Sequence, residues 1–310
     1  MESETNLKIP VINFNQENSK PGSDSWVLAC KQVRHAMEEY GCFEIVFDEF
    51  PLELHNSIFR AAKDLFDLPV ETKNQKINDR PVLLDYLAER PWSPRYERTG
   101  IDSPETLQGA EYFTKLMWPQ GNDTFRETVQ SFSKRLVEMS EMVIKMVAES
   151  YGVERVFDSL RKSAIYALRF FKYRTQQSNE TDVGLAAHSD TTFLSILHQH
   201  HVEGLQIKTK NGQWIDVKPS PSSFVVLAGY ALMVVACEHR VTIKEEKTGY
   251  SVGLFSHTKG LIHVPEEMVD EEHPLGYKPI DSLGFHAFRL SEEGLKSACP
   301  IKAYCGINYD

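Results

Sequence analysis

The stretch from Thr192 to Leu227, TFLSILHQHHVEGLQIKTKNGQWIDVKPSPSSFVVL, decides the fold class of this chain. Short runs rich in β-branched and aromatic residues are separated by turn sequences such as Asn211-Gly212 and Pro221-Ser222. Alternating runs of this length, bounded by Asn, Gly, Pro and Ser, are typical of antiparallel strands joined by short loops. The stretch therefore predicts a core built mainly from β-strands.

The same pattern continues on both sides of this stretch. Strands are predicted over 165–173, 192–199, 204–209, 213–217, 223–227, 231–235, 240–243 and 250–255. Strands of this length and spacing indicate an antiparallel sandwich or a jelly roll. The expected fold class is therefore mixed α+β, with a mainly β core.

Helical patterns flank this core. A strand is predicted over 9–14, a helix from Ser23 or Asp24 to the stop at Gly41, a strand over 42–47, and helices over 52–66 and 122–151. Further helical stretches are expected after Pro265 and after Ser291. The segment 74–122 is rich in proline and aromatic residues and weakly periodic, which predicts a loop that lies over a site as a substrate lid.

No Pro/Gly/Ser-rich linker divides the chain. We therefore expect one integrated unit with three regions. These are an N-terminal region of helices and strands (1–160) that includes the lid, a β core (161–260) and a C-terminal helical extension (261–310).

Composition limits the classes of function. Apolar residues make up 41% of the chain and charged residues 25%, which predicts a folded protein. A net charge of −10 argues against nucleic-acid binding, which depends on Lys and Arg neutralising phosphates. The N-terminus lacks the pattern of a signal peptide, and no window approaches the ~20 apolar residues of a membrane span. We expect a cytoplasmic protein whose 5 cysteines, without a CxxC pair, are reduced thiols.

The residues that carry chemistry are His188 and Asp190, in Leu185-Ala-Ala-His-Ser-Asp190, together with His239. Alternate residues of a strand point to the same side, so His188 and Asp190 can reach one ion, and His239 must come from another strand. Two imidazoles and one carboxylate can occupy one face of an iron ion and leave positions open for oxygen. His-x-Asp alone is a weak signal, because a surface histidine beside a turn aspartate gives the same pattern.

Several further motifs surround these residues. They are Ile9-Pro-x-Ile12-x-Phe14, Glu39-Tyr-Gly-Cys-Phe43, Leu65-Phe-Asp-Leu-Pro69, Glu203-Gly-Leu-Gln206, His239-Arg-Val241, Tyr250-Ser251 with Gly253-Leu-Phe255, Trp214-Ile-Asp-Val-Lys-Pro219 and Glu266-Glu-x-Val-Asp270-x-Glu-His-Pro274. With them the chain resembles the plant iron(II)- and 2-oxoglutarate-dependent dioxygenases along nearly its whole length. The last two motifs are similar to the clade of specialised metabolism that includes the AOP dioxygenases.

The resemblance implies a double-stranded β-helix core, with His188, Asp190 and His239 as iron ligands. It also implies that Tyr173 and Ser251 contact the distal carboxylate of 2-oxoglutarate. Iron(II), 2-oxoglutarate and O2 would be required, with ascorbate as a reductant. The implied reaction is the hydroxylation or desaturation of a small plant metabolite. We also expect a monomer, and the composition predicts no nucleic-acid or membrane partner.

Two departures from the family motif leave alternatives open. Gly249 stands two positions before Ser251, where the family has an arginine that pairs with the carboxylate of 2-oxoglutarate. The hairpin before His239 is shortened, with Tyr230 in place of an aspartate, and a register slip there would turn His239 away. An active oxygenase, a catalytically impaired family member and a jelly-roll binding module without iron therefore all remain possible interpretations.

A second group of histidines, in His198-Gln-His200-His201, is the other candidate metal site. Neighbouring strand residues diverge to opposite faces, which argues against a zinc site here. The sequence instead favours a solvated strand end over residues 198–201.

Overall fold

The computed structural model describes residues 7–15, 20–75, 86–88, 95–175, 180–232, 236–243 and 247–307. Its strands are β1 (Val11–Asn13), β2 (Cys42–Val46), β3 (Tyr96–Asp102), β4 (Ala164–Tyr173), β5 (Val183–His188), β6 (Leu194–Gln199), β7 (Leu205–Lys208), β8 (Trp214–Asp216), β9 (Ser223–Ala228), β10 (His239–Thr242), β11 (Gly249–Thr258), β12 (Leu261–Ile262) and β13 (Ile280–Asp281). Its helices are α1 (Asp24–Tyr40), α2 (Leu52–Phe66), α3 (Val70–Lys73), α4 (Leu107–Met117), α5 (Asp123–Ser150), α6 (Glu154–Ser163), α7 (Ser282–Arg289), α8 (Glu292–Lys296) and α9 (Pro300–Cys305).

The N-terminal helices begin and end at the residues that their sequence signals predict. The hydroxyl of Ser23 caps α1 by accepting a hydrogen bond from the Trp26 amide, and Gly41 ends the helix with a φ of 66°. Asn122 caps α5 in the same way, through the Phe125 amide. Gly152 follows that helix with a φ of 70°. The predicted bounds of these helices are therefore confirmed.

Two sheets form the β core. Within the described residues, the larger sheet has the strand order β1-β2-β9-β6-β11-β4-β3 and the smaller one the order β5-β10-β7-β8. All neighbouring strands are antiparallel except β1 and β2. Because β2 pairs with β9 and β3 pairs with β4, strands from the N-terminal region extend the sheet of the central region.

The larger sheet is covered on both faces. Its outer face packs against α1, α2 and α5 in a core cluster that includes Phe43, Phe132 and Phe170. Its inner face meets the smaller sheet, where Phe171 and Phe255 pack against side chains of β5 and β10. The predicted jelly roll with flanking helices is confirmed, and the space between the two sheets is where a site could form.

Three predictions of local structure are wrong. The loop predicted over 74–122 contains β3 and α4, although 76–85 and 89–94 lie outside the described residues. The predicted strand 231–235 begins as a 3-10 turn at Tyr230–Leu232, and 233–235 are not described. The helix expected after Pro265 is a 3-10 turn, Glu266–Met268, whereas α8 does follow Ser291.

In the parts of the chain that the structure describes, we find no helix that is both long and apolar enough to cross a membrane. All five cysteines are free thiols, as predicted from their spacing.

Candidate active site

Three candidate ligands converge where β5 and β10 lie side by side. His188 ends β5, Asp190 follows two residues later, and His239 begins β10 directly opposite His188. One ligand atom from each side chain lies within 4.8 Å of the others. Bonds from such atoms to a first-row divalent ion are about 2.0–2.2 Å long, so small side-chain rotations would place all three on one ion. The residues present therefore fit a metal bound by two histidines and one carboxylate.

The connection before His239 is short, yet it does not turn this histidine away. The amide of Cys237 donates to the carbonyl of Ala228 at the end of β9, and the amide of Lys208 donates to the carbonyl of Glu238. Irregular pairing at His239 and Val241 marks a β-bulge, a feature that re-aims side chains. Despite this irregularity, the side chain of His239 faces those of His188 and Asp190.

Hydrogen bonds orient each candidate ligand. The Nδ1 atoms of His188 and His239 lie 2.8 Å and 3.2 Å from the carbonyl oxygens of Ala186 and Cys237. These contacts favour protonated Nδ1 atoms and leave both Nε2 lone pairs free for a metal. The hydroxyl of Ser195 donates to Oδ2 of Asp190 at 2.6 Å, which leaves Oδ1 facing the histidines.

The electrostatic surroundings keep His188 and Asp190 in their metal-binding forms. Burial, followed by the neighbouring His239, lowers the pKa of His188 to about 4. Burial tends to raise the pKa of Asp190, but His239, His188 and the hydrogen bond from Ser195 outweigh it and lower that pKa. At neutral pH the site therefore offers a neutral imidazole at His188 and a carboxylate at Asp190.

A cavity of about 370 Å³ extends from these ligands between the two sheets. Away from the ligands, the walls of the cavity are mainly apolar and include Phe171, Leu185, Leu197, Val241 and Phe255. Tyr173 and Ser251 lie further along the cavity and hydrogen-bond to each other. Ser195, the partner of Asp190, pairs with Phe255 on β11, four residues from Ser251. At ~3.3 Å per residue, the two ends are roughly 13 Å apart along the strand.

Comparisons with known proteins agree with this architecture. Residues 163–258 match the family model of the 2OG-Fe(II) oxygenase superfamily, and residues 9–105 match that of the non-haem dioxygenase in morphine synthesis N-terminal region. A probable 2-oxoglutarate-dependent dioxygenase, AOP1.2 of Arabidopsis thaliana, is 39% identical over 97% of each chain. The chain belongs to the plant 2-oxoglutarate- and iron(II)-dependent dioxygenases.

Other relatives show how widely this dioxygenase family varies. A probable inactive dioxygenase, AOP2 of Arabidopsis thaliana, is 30% identical over 97% of this chain and 98% of its own. The crystal structure of a dioxygenase for auxin oxidation from rice has the same fold, with a TM-score of 0.81 and 23% identity over 97% of this chain and all of that one.

The end of the cavity around Tyr173 differs from the family motif. Gly249 lies opposite Tyr173 on β11, so the arginine expected there is absent. A Cβ atom at this position would lie 3.4 Å from Val202 and 3.9 Å from the Cβ of Tyr173, which are ordinary contacts. The cavity therefore extends to Gly249, where there is room for a Cβ atom.

His198 belongs to the core, so the prediction of a solvated strand end over residues 198–201 is wrong for this residue, whereas His201 is exposed. His198 is fully buried, and its ring contacts Nδ1 of His55 and the carbonyl of Ser223, each at 2.9 Å. His188, Asp190 and His239 are the metal-competent cluster found among the described residues.

Sequence reasoning missed three cationic side chains of the cavity: Arg98 on β3, Arg169 on β4 and Arg289 at the end of α7. One signal was visible, because Arg169 interrupts the otherwise apolar run Ile165–Phe171. A lone arginine that faces the inside of a buried strand needs a partner or a function. Arg98 gave no such signal, since it lies in a polar segment assigned to the lid.

Proposed function

We propose that this dioxygenase binds iron(II) through His188, Asp190 and His239 and oxidises a small plant metabolite. The observation that carries the proposal is the convergence of two histidines and one carboxylate on one point, at the wall of a cavity between the two sheets. A cavity of about 370 Å³ suits a cosubstrate and a small organic substrate.

We further propose that 2-oxoglutarate lies along the apolar wall, with its distal carboxylate at Tyr173 and Ser251. Both residues carry hydroxyl groups that can donate to a carboxylate, and both face the inside of the jelly roll. Burial raises the pKa of Tyr173 well above its usual value, so its hydroxyl stays protonated and able to donate.

Bound iron would supply the oxygen activation that converts 2-oxoglutarate to succinate and carbon dioxide and oxidises the substrate. The chain's own residues position the reactants and exclude water. Ser195 holds the Asp190 carboxylate in place, and the apolar residues between the two ends keep water away from the reacting atoms. Hydroxylation and desaturation are the two outcomes that this arrangement supports.

The test is formation of succinate from 2-oxoglutarate by the purified protein in the presence of iron(II), O2 and ascorbate, with and without a library of plant metabolites. We expect iron-dependent succinate formation that rises with particular substrates. Protein loaded with zinc in place of iron is the control and should give none. No succinate above this control with any compound would contradict the proposed activity and favour an impaired family member.

We also propose that the enzyme acts in the cytoplasm as a monomer and has neither nucleic-acid nor membrane partners. The acidic composition, with a net charge of −10, supports the absence of a nucleic-acid partner. Light scattering after size exclusion, and imaging of a fluorescent fusion in plant cells, test the monomeric state and the location.

A further inference from the structure

Arg169 is a buried cation that lines the cavity and forms no ion pair with a described residue. Its side chain is 9% exposed, and its Nε atom has no hydrogen-bond acceptor. The guanidinium carbon lies 4.6 Å from the centre of the Phe255 ring, a cation–π contact. Burial lowers the pKa of Arg169 to about 10, so it still carries its charge at neutral pH. A buried charge of this kind is costly unless a ligand or another residue pairs with it.

Arg98 lines the same side of the cavity. It pairs with Phe171 across β3 and β4, next to the register position of Arg169. Its Nε atom is also buried without an acceptor, while its side chain hydrogen-bonds to the neutral hydroxyl of Tyr96. Two guanidinium groups therefore face one space, and neither forms an ion pair with a described residue.

The acidic side chains of the cavity do not balance these charges. Among the described lining residues they are Asp190 and Glu203. Asp190 interacts with both histidines and Ser195 and, most weakly of these, with Arg169, and it would share its remaining oxygen with the metal. Glu203 follows Val202, which contacts Gly249, so it lies toward the other end of the cavity. A net positive potential thus remains around Arg98 and Arg169.

Arg169 is separate from the place proposed for the distal carboxylate of 2-oxoglutarate, whereas Arg98 lies between the two, opposite Phe171 and two residues from Tyr173. Arg169 lies opposite Gly253 on β11, and its guanidinium contacts Phe255. Phe255 is at the end of the cavity where Asp190 lies. Tyr173 and Gly249 are four residues away, or roughly 13 Å along the strand. The cosubstrate carboxylate at Tyr173 therefore cannot be the partner of Arg169.

We propose that the organic substrate carries a carboxylate that binds between Arg98 and Arg169, an inference that rests on the proposed function. The planar guanidinium fork matches a carboxylate, and the pairing supplies the acceptors that both side chains lack. The entrance of the cavity is lined by Leu290 and Leu295, which are 61% and 65% exposed. The substrate class is accordingly an acid with an apolar body, held by its head group near the metal ligands.

The experiment compares matched pairs of acids and primary amides: phenylacetate with phenylacetamide, and octanoate with octanamide. Their affinities are measured by calorimetry on the anaerobic protein loaded with iron(II) and 2-oxoglutarate. Removing one partner of a buried charge pair costs enough for an affinity loss of about 30-fold or more. In wild-type protein we expect the better acid to bind at least about 30-fold more tightly than its amide.

The variants Arg169→Gln and Arg98→Gln should each lose most of this preference, and Arg169→Lys should keep part of it. Arg161→Gln, an exposed arginine on α6 paired with Glu141, is the matched control and should behave as wild type. If a glutamine variant does not fold, the comparison of acids with amides on the wild-type protein and on Arg169→Lys still tests the proposal. Equal affinities within both pairs, no binding of either acid, or a preference that survives in the glutamine variants would overturn the proposal.

A second arm identifies the source of the carboxylate. The affinity for 2-oxoglutarate should stay within about threefold of wild type in Arg169→Gln and Arg98→Gln. A loss as large as that for the acids would assign both arginines to the cosubstrate and overturn the proposal. The affinities of the acid and amide pairs are also measured on metal-free protein. A failure to bind iron or 2-oxoglutarate would contradict the proposed function, and the metal-free measurements would still test whether Arg98 and Arg169 bind the carboxylate.

Discussion

At the scale of single residues, Gly249 is the position where this chain departs from its family at the cosubstrate pocket. The neighbours expected from the motif are in place, since Tyr173 lies opposite Gly249 and Ser251 follows it on the same face of β11. Two neutral hydroxyl groups recover only part of the free energy that a charged partner gives to a carboxylate. The affinity for 2-oxoglutarate should therefore be weak, although the pocket is preserved.

We predict that Gly249→Arg tightens 2-oxoglutarate binding by about 30- to 1000-fold, equivalent to roughly 2–4 kcal/mol. A side chain can start from this position, because the nearest atoms to an added Cβ are 3.4 Å away. Calorimetric titration of 2-oxoglutarate into the anaerobic iron(II) protein measures the effect. Gly249→Ala adds the Cβ without the charge and should bind like wild type. Equal affinities for the arginine variant and wild type would show that the missing charge is not limiting.

At the scale of elements, Arg95 ties together strand ends that surround the cosubstrate pocket. It is 1% exposed, and its guanidinium donates to the carbonyls of Thr181 at 2.6 Å, Ile243 at 3.0 Å and Arg174 at 3.4 Å. These carbonyls lie beside the ends of β4, β5 and β10. Arg95 therefore holds the two sheets in register where the pocket ends.

Arg95→Met should lower the free energy of unfolding by roughly 3 kcal/mol, because it leaves buried carbonyl groups without a charged donor. Urea denaturation followed by circular dichroism measures the loss. Arg161→Met, at an exposed position on α6, should change the stability by no more than about 0.5 kcal/mol. A stability equal to wild type in Arg95→Met would mean that the strands hold their register without this side chain.

The elements also show how far sequence patterns determine this fold. Strands such as β6 and β9 were predictable because each is a short apolar run bounded by turn residues, and β9 is buried along its whole length. Helix α1 was predictable because Ser23 and Gly41 mark its ends. The strand β3 was not, because Tyr96–Asp102 is polar and gains its conformation from pairing with β4. The apolar run that follows Gly229 begins with the 3-10 turn Tyr230–Leu232, which composition alone does not distinguish from a strand.

In the candidate site, too, only some of the residues could be predicted from the sequence. The ligands at His188, Asp190 and His239 could be predicted because alternation along a strand and a family motif place them. The burial of His198 could not, since it depends on packing against His55 and Phe224 from other elements. Arg98 and Arg169 likewise gain their significance only from the cavity that they share.

At the scale of the whole molecule, several buried histidines link folding to pH. Burial is the largest cause that lowers the pKa of His198 and of His257 to about 3. In the unfolded chain a histidine titrates near ~6.5, so between that pH and about 3 the unfolded state binds more protons than the folded state. Their contribution to stability is therefore complete above pH ~6.5 and is lost progressively as the pH falls.

We predict that the free energy of unfolding falls between pH 7.5 and pH 5.5 with a slope of up to ~1.4 kcal/mol per pH unit for each such histidine. His198→Gln should reduce this slope by the contribution of one histidine, which is up to ~1.4 kcal/mol per pH unit. Urea denaturation at a series of pH values measures the slopes, and the exposed His263→Gln is the matched control. An unchanged slope in His198→Gln would show that His198 is not buried in its neutral form.

The central claim is that His188, Asp190 and His239 form the iron site, and the iron content of purified variants tests it most directly. Each of His188→Ala, Asp190→Ala and His239→Ala removes one of three protein ligands, whereas replacing both His200 and His201 by Gln changes histidines outside the cluster. After anaerobic reconstitution with iron(II), we expect about one iron per chain in wild type and in the double variant, and strongly reduced iron in each alanine variant. Full iron retention in any alanine variant, or loss of iron in the double variant, would contradict the account.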